Sequence, residues 1–152
     1  MKVLVIIPAY NEEKNIVRTV TNLKKQCPNV DYVVINDCSK DNTEDVLKDN
    51  NFNYISLPVN LGIGGGVQTG YKYAVENNYD IAIQFDGDGQ HDAAYIDKLI
   101  KPILDGKADM VIGSRFIENE GFQTSFMRRF GIKILKVLLK IFCKQDITDA
   151  TS

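Results

Sequence analysis

Apolar residues in this chain come in short unbroken runs, separated by longer stretches with helical spacing. Val3-Leu4-Val5-Ile6-Ile7 is a continuous run stopped by Pro8, the pattern of a central parallel strand. From about Glu12 to Gln26, Ile16, Val20 and Leu23 share one face and predict a helix. Val30 to Ile35 predicts a second strand and Asp37 to Asn42 a turn. Asp41 followed by Glu44 predicts a capping box for a short helix carrying Val46 and Leu47. Phe52 to Leu57 reads as a third strand ended by Pro58. Gly62 to Gly66 then lead into a helix with Val67, Tyr71, Ala74 and Val75 as its core face. Ile81-Ala82-Ile83-Gln84-Phe85 predicts a fourth strand, and Asp92 is placed to cap a helix with Ile96, Leu99, Ile100 and Ile103 inward. Asp109 to Gly113 predicts a fifth strand. Alternation of this kind implies an α/β fold, a mostly parallel sheet with helices on both faces.

Composition narrows the class. At 152 residues the chain is long enough for one domain with a real core, and 44% hydrophobic with 25% charged residues is ordinary for a globular protein. A net charge of -2 gives no basic footprint for nucleic acid. Cys27, Cys38 and Cys143 form no CxxC or His/Cys cluster, which argues against zinc and redox sites and fits a reducing cytosol. The amino terminus opens on a strand without a signal-peptide pattern, and no apolar run reaches transmembrane length.

In a parallel sheet the segments after the strands converge on one edge, where ligands bind. Here they are Pro8 to Glu13, Asn36 to Ser39, Asn60 to Gly62, Asp86 to Asp92 and Gly113 to Arg115. Asp86-Gly87-Asp88-Gly89-Gln90 is the most pointed of them. Two carboxylates one residue apart suit a hard divalent cation that bridges to phosphate, and they equally suit a solvated Gly-rich turn. Gly62-Ile63-Gly64 invites a Rossmann-like dinucleotide site. The fingerprint then needs glycine where Val67 stands, and it belongs after the first strand, so hydride transfer is a poor reading. The glycines let backbone approach a ligand or the sheet, or simply make the loop flexible.

Ile7-Pro8-Ala9-Tyr10-Asn11-Glu12-Glu13, Val34 to Thr43, Asn60-Leu61-Gly62, Asp86 to Asp92 and Val111-Ile112-Gly113-Ser114-Arg115-Phe116 together resemble the motifs of family-two glycosyltransferases. The branch resembled acts on dolichyl and polyprenyl phosphates. The likeness runs in order from Met1 to Ser152. Cys38 stands where glycine is usual, and Ala93 where proline is usual. Asp149-Ala150-Thr151-Ser152 looks like the start of a longer motif, as though the chain were cut short.

The resemblance implies a glycosyltransferase type A fold and a UDP- or GDP-linked sugar donor. It implies that Pro8, Tyr10, Glu12, Asp37, Asp86 and Gly87 border the nucleotide, with Asp37 on the base. Asp86, Asp88 and Gln90 would hold Mg2+ or Mn2+ on the diphosphate. Asp88, Arg115 and Asp149 are the catalytic candidates, with Asp149 as base for a hydroxyl acceptor. Arg115, Arg128 and Arg129 are candidates for an acceptor phosphate. His91, the one histidine, sits between Gln90 and Asp92 and reads as a supporting residue rather than the base.

Residues 126–144 are apolar and cationic, and no acid occurs between Glu120 and Asp146. Arg129, Lys133, Lys136, Lys140 and Lys144 form a stripe, which predicts a basic amphipathic helix on an anionic membrane surface. The competing reading is a helix packed on more of the protein. Residues 1–120 are thus expected to form a nucleotide-sugar-binding catalytic core. Residues 121–152 would form the amphipathic helix and the start of an acceptor-side segment. The expected protein is a metal-dependent, inverting hexosyltransferase, peripheral on the cytoplasmic face of the cell membrane. Its acceptor would be a polyprenyl phosphate or a cell-surface glycan, and a homo-oligomer stays open. The alternatives are a nucleotidyltransferase and a non-catalytic nucleotide- or membrane-binding fragment. A nucleotidyltransferase would be expected to carry a Gly-rich basic loop after the first strand, where Pro8 to Glu13 are acidic.

Overall fold

Strand β1 (Val3–Ala9) is apolar on both pleat faces, and it occupies an inner position of the sheet. The computed structural model describes residues 1–87 and 93–113. Following β1 in order are α1 (Ile16–Gln26), β2 (Asp31–Asn36), α2 (Thr43–Asp49), β3 (Tyr54–Ser56), α3 (Gly62–Glu76) and β4 (Ile81–Gln84). A single 3-10 turn at Ala93–Tyr95 precedes α4 (Ile96–Leu104). The four strands run parallel in the order β3-β2-β1-β4. The chain divides after Lys98 into two units, and the whole sheet belongs to the first.

Leu4, Val5, Ile6 and Ile7 are all fully buried, so both faces of β1 are covered. Each such side chain contributes about 1.5–3 kcal/mol. On one face Leu4 and Ile6 join Val33, Ile35 and Ala74 of α3. Small residues let α3 approach the sheet. A methyl group at Gly70 would collide with Ile6 Cγ2, and one at Gly66 would lie 3.8 Å from Ile35 Cγ2 and Pro8 Cβ. This corrects the expected core face of α3. Gly66, Val67, Gly70 and Ala74 are buried, whereas Tyr71 is 43% and Val75 76% exposed. The contact row follows the small residues because Tyr71 could not enter so narrow a gap.

Helix α3 also starts at Gly62, earlier than expected, with φ at +74°. Glycine is needed there because this left-handed backbone is strained for other residues. Helix α1 begins at Ile16 rather than Glu12, since Glu13 to Asn15 form a turn. The predicted capping box does not form. Glu44 pairs with Lys48 at 3.1 Å instead of returning to the helix start, and Asp41 accepts the Thr43 amide at 3.0 Å.

In the second unit, α4 ends in a Schellman cap. Gly106 has φ +65°, its amide bonds Ile103 O at 3.0 Å, and the Lys107 amide bonds Pro102 O at 2.9 Å. Asp109 to Gly113 carry no strand, contrary to expectation. Met110 is 75% and Ile112 51% exposed, so neither apolar side chain has the buried seat that would drive pairing. No helix among the described residues is long and apolar enough to cross a membrane.

Candidate donor site at the carboxyl edge of the sheet

Parallel register determines which segments meet. Ala9 at the end of β1 pairs with Asn36 at the end of β2, and Ile6 pairs with Gln84 at the end of β4. Tyr10, Asp37 and Asp86 therefore leave the sheet at one edge. The chain turns from β1 to β2 on one side and has β4 on the other, which makes this a topological switch point.

Asp37 is only 3% exposed. Its amide donates to Ala9 O at 2.9 Å, which fixes its backbone beside the first loop. Its Oδ1 accepts the Leu61 amide at 2.7 Å, and Asn60 Nδ2 donates to its carbonyl at 3.1 Å. Asn60 Oδ1 accepts the Gly62 amide at 3.2 Å, so the Asn60-Leu61-Gly62 motif links the start of α3 to Asp37. Oδ2 of Asp37 has no partner among the described residues. A buried carboxylate with one oxygen unspent is a ready acceptor for a ligand N–H.

Asn36, at 1% exposure, is different. Its side chain donates to Ser56 Oγ at 3.0 Å and accepts the Ser39 amide at 3.2 Å, so it is spent within the fold. Cys38 follows with φ +54°, in the left-handed region where a side chain costs roughly 1–2 kcal/mol. That backbone explains why glycine suits the position. The Cys38 thiol lies 3.8 Å from Pro58 O.

At the end of β4, Gly87 packs directly on the first loop. A Cβ there would sit 2.9 Å from Pro8 O and 3.8 Å from Glu12 Cγ. Thr19 of α1, 3% exposed, steadies this approach: its hydroxyl shares its one proton between Gly87 O at 3.0 Å and Asn15 O at 3.1 Å. Half-buried Asp86 is thus brought beside Pro8 and Glu12, and its Oδ1 accepts from Gln84 Nε2 at 3.2 Å. Glu12 Oε2 accepts from Asn15 Nδ2 at 2.8 Å. Tyr10 is 42% exposed at the same edge.

The structure therefore gathers Pro8, Tyr10, Glu12, Asp37, Asp86 and Gly87. Asp88, Gln90, His91, Arg115, Arg128, Arg129, Asp149 and residues 126–144 lie outside the described residues. Among the described residues no three His, Cys, Asp or Glu side chains gather as a metal site. Asp86 supplies a hard oxygen donor at the expected strand end, which fits a divalent cation of the magnesium kind. A mostly apolar hollow of about 270 Å³ lies along α3, lined by Ile63, Gly64, Val67, Gln68, Tyr71 and Gln84, and it lacks this polar chemistry.

Sequence reasoning missed Thr19 and Thr43. Thr43 is fully buried; its Oγ1 accepts the Glu12 amide at 2.9 Å and donates to Asp41 Oδ1. The available signal was a hydroxyl inside an apolar helical stretch for Thr19, and Thr two residues after Asp41 for Thr43. Burial alone would raise the pKa of Asp41, but hydrogen bonds from Thr43 and from the Glu13 amide outweigh it and hold the carboxyl below its ordinary 3.8. The sign follows from linkage. A depressed folded-state pKa stabilises above the unfolded value and is lost as pH falls through the folded one. Asp41→Asn is expected to flatten the acid limb of Tm against pH below about pH 4. Parallel curves for parent and variant down to pH 2 would contradict it.

Comparisons with known proteins bear on the family and the fold. Residues 4–151 match the family model described as glycosyl transferase family 2. The chain is 36% identical over 159 residues to the UDP-N-acetylglucosamine--dolichyl-phosphate N-acetylglucosaminyltransferase of Methanococcus voltae. That alignment covers 90% of this chain and 62% of the relative. Among solved structures, S. aureus TarS 1-349 in complex with UDP superposes with a TM-score of 0.62 at 25% identity, covering 82% of this chain and 39% of that one. Glucosyl-3-phosphoglycerate synthase of Mycobacterium tuberculosis, in complex with Mn2+ and UDP-glucose, gives a TM-score of 0.57 at 22% identity, covering 70% and 40%. The parallel sheet is accordingly that of the glycosyltransferase type A fold. Because that family model matches residues 4–151, the chain belongs to glycosyl transferase family 2.

Proposed function

We propose that the sheet edge is the donor site of a metal-dependent, inverting hexosyltransferase that uses a UDP- or GDP-linked sugar. The observation that carries this is Asp37, buried to 3% exposure with Oδ2 unspent, on the same edge as Asp86. Uracil and guanine both present an N–H for such an acceptor. Pro8, Tyr10 and Glu12 would border base and ribose, and Asp86, Asp88 and Gln90 would hold Mg2+ or Mn2+. That cation would neutralise charge developing on the departing nucleoside diphosphate. One displacement breaks the bond from the anomeric carbon to the diphosphate oxygen as the bond to the acceptor oxygen forms.

The acceptor is a polyprenyl phosphate or a glycan. A phosphate oxygen is ionised near neutral pH and needs no base, whereas a hydroxyl would call on Asp149. Arg115, Arg128 and Arg129 would place phosphates as bidentate donors. The name of the Methanococcus voltae relative, with its dolichyl-phosphate acceptor, supports the first alternative. Residues 1–120 form the donor core in this reading, and 121–152 begin the acceptor side. Residues 126–144 lie on the inner face of an anionic membrane. The acidic loop Glu12-Glu13 after β1 disfavours nucleotidyl transfer, whose triphosphate needs a basic, Gly-rich cradle.

Calorimetry with UDP and with GDP tests the donor site. One of the two is expected to bind at least about tenfold more tightly with Mn2+ than without it, equivalent to ~1.4 kcal/mol. Absence of metal-dependent binding by either nucleotide would sink the reading. Binding without turnover of any UDP- or GDP-sugar would leave a nucleotide-binding fragment. For the membrane, flotation with anionic liposomes is expected to be lost when Lys133, Lys136 and Lys140 become Glu; unchanged flotation would rule the interfacial helix out.

A further inference from the structure

Three consecutive backbone amides of the first loop donate to side chains of the second. Asn11 N bonds Ser39 Oγ at 3.0 Å, Glu12 N bonds Thr43 Oγ1 at 2.9 Å, and Glu13 N bonds Asp41 Oδ2 at 3.2 Å. Two bonds return, from Lys40 N to Asn11 Oδ1 at 2.8 Å and from Asn42 N to Glu13 Oε2 at 3.1 Å. The regular ladder between β1 and β2 ends where Ala9 faces Asn36. Past that point the two chains turn towards different helices, α1 and α2, and lose the register that backbone pairing needs. Side chains at 39, 41 and 43 take over as acceptors.

We propose that Ser39, Asp41 and Thr43 are positioning residues of the donor site. They form a side-chain clasp that continues the β1–β2 pairing beyond the strand ends and fixes Glu12 and Asp37 relative to one another. The inference rests on the donor-site reading above and adds residues to it. Glu12 enters the clasp only through its amide, so its carboxylate stays outside. Asp37 is locked from the other side by Ala9 O and by Asn36, whose Oδ1 holds the Ser39 amide. Asn11, with φ +58°, supplies the turn that lets its side chain reach back to Lys40. Thr43 is fully buried, and its hydroxyl both accepts and donates within the clasp. The clasp therefore acts on ligand through the two acids it holds. An edge assembled from two loops would otherwise let those acids drift, and a misplacement of about 1 Å can cost on the order of 100-fold in rate.

The test compares the parent chain with Thr43→Val, Thr43→Ser and Ser39→Ala. Nucleotide Kd is measured by calorimetry with UDP and GDP in Mn2+, alongside Tm and amide hydrogen exchange. Thr43→Val keeps the side-chain shape and removes the hydroxyl; it is expected to weaken nucleotide binding about tenfold, while Thr43→Ser stays within roughly threefold of the parent. Exchange should quicken at Asn11, Glu12 and Glu13 in the valine variant and stay unchanged at Leu4 to Ile7. Should Thr43→Val melt the chain, Ser39→Ala removes one partly exposed acceptor and carries the same comparison, with binding about threefold weaker at an unchanged Tm. A parent that binds nucleotide and variants that bind it equally well would overturn the clasp. A parent that binds neither nucleotide would overturn the donor-site reading itself.

Discussion

Asp37→Asn is expected to weaken UDP or GDP binding by roughly 10- to 100-fold, the loss of a hydrogen bond to a charged acceptor. The substitution is close to isosteric. An asparagine carbonyl oxygen can keep the 2.7 Å bond from the Leu61 amide, so the start of α3 remains tied to the end of β2. The atom that changes is the other one. Oδ2, which has no partner among the described residues, becomes an amide nitrogen that donates where the base also donates. Two donors then face each other at a side chain only 3% exposed, where the unpaired amide cannot turn to solvent. Fold stability should move little, so Tm within about 2–4 °C of the parent, the equivalent of ~1 kcal/mol, accompanies the loss of affinity. Calorimetry and a thermal melt on the same sample check both halves. Unaltered affinity would remove Asp37 from base recognition.

Much of this site could be read from the chain because strand ends are legible. Val3 to Ile7 and Ile81 to Phe85 are short apolar runs that admit little choice of element, and the polar residues following them had to share an edge once the strands were parallel. Asp37, Asp86 and Gly87 were placed at that edge in this way, and the register of the strands puts them there. Helix faces were less legible. Spacing alone put Tyr71 and Val75 in the core of α3, and only the close approach of Gly70 to Ile6 shows why the small-residue row won. Periodicity reports which residues share a face, not how near the opposite surface lies. Asp109 to Gly113 differ for a related reason: an apolar alternation becomes a strand where its side chains find a buried seat, and Met110 and Ile112 are exposed. Thr19 and Thr43 escaped because the local signals around them name no partner, and those partners, Gly87 O and the Glu12 amide, are distant in sequence.

Gly87→Ala is expected to remove the metal-dependent part of nucleotide binding, a loss of at least about tenfold, while leaving the chain folded. The added methyl would stand 2.9 Å from the Pro8 carbonyl, closer than carbon and oxygen approach, and that oxygen belongs to backbone at the end of β1. A flexible side chain would swing aside; this carbonyl cannot without disturbing the strand. Gly87 must therefore move, and Asp86, joined to it, moves too. Overpacking of this kind costs about 1–3 kcal/mol in stability. The shift should be directional, because Thr19 Oγ1 anchors the Gly87 carbonyl from the side of α1. Thr19→Val, which frees that anchor without adding bulk against Pro8, is expected to reproduce the change only in part. Affinities for the preferred nucleotide, each measured with and without Mn2+ well below the lowered Tm, separate the effects. Base recognition through Asp37 should survive as metal-independent binding. If Gly87→Ala instead retains the full gain in affinity from Mn2+, the close packing of Asp86-Gly87 on the first loop has nothing to do with holding the diphosphate.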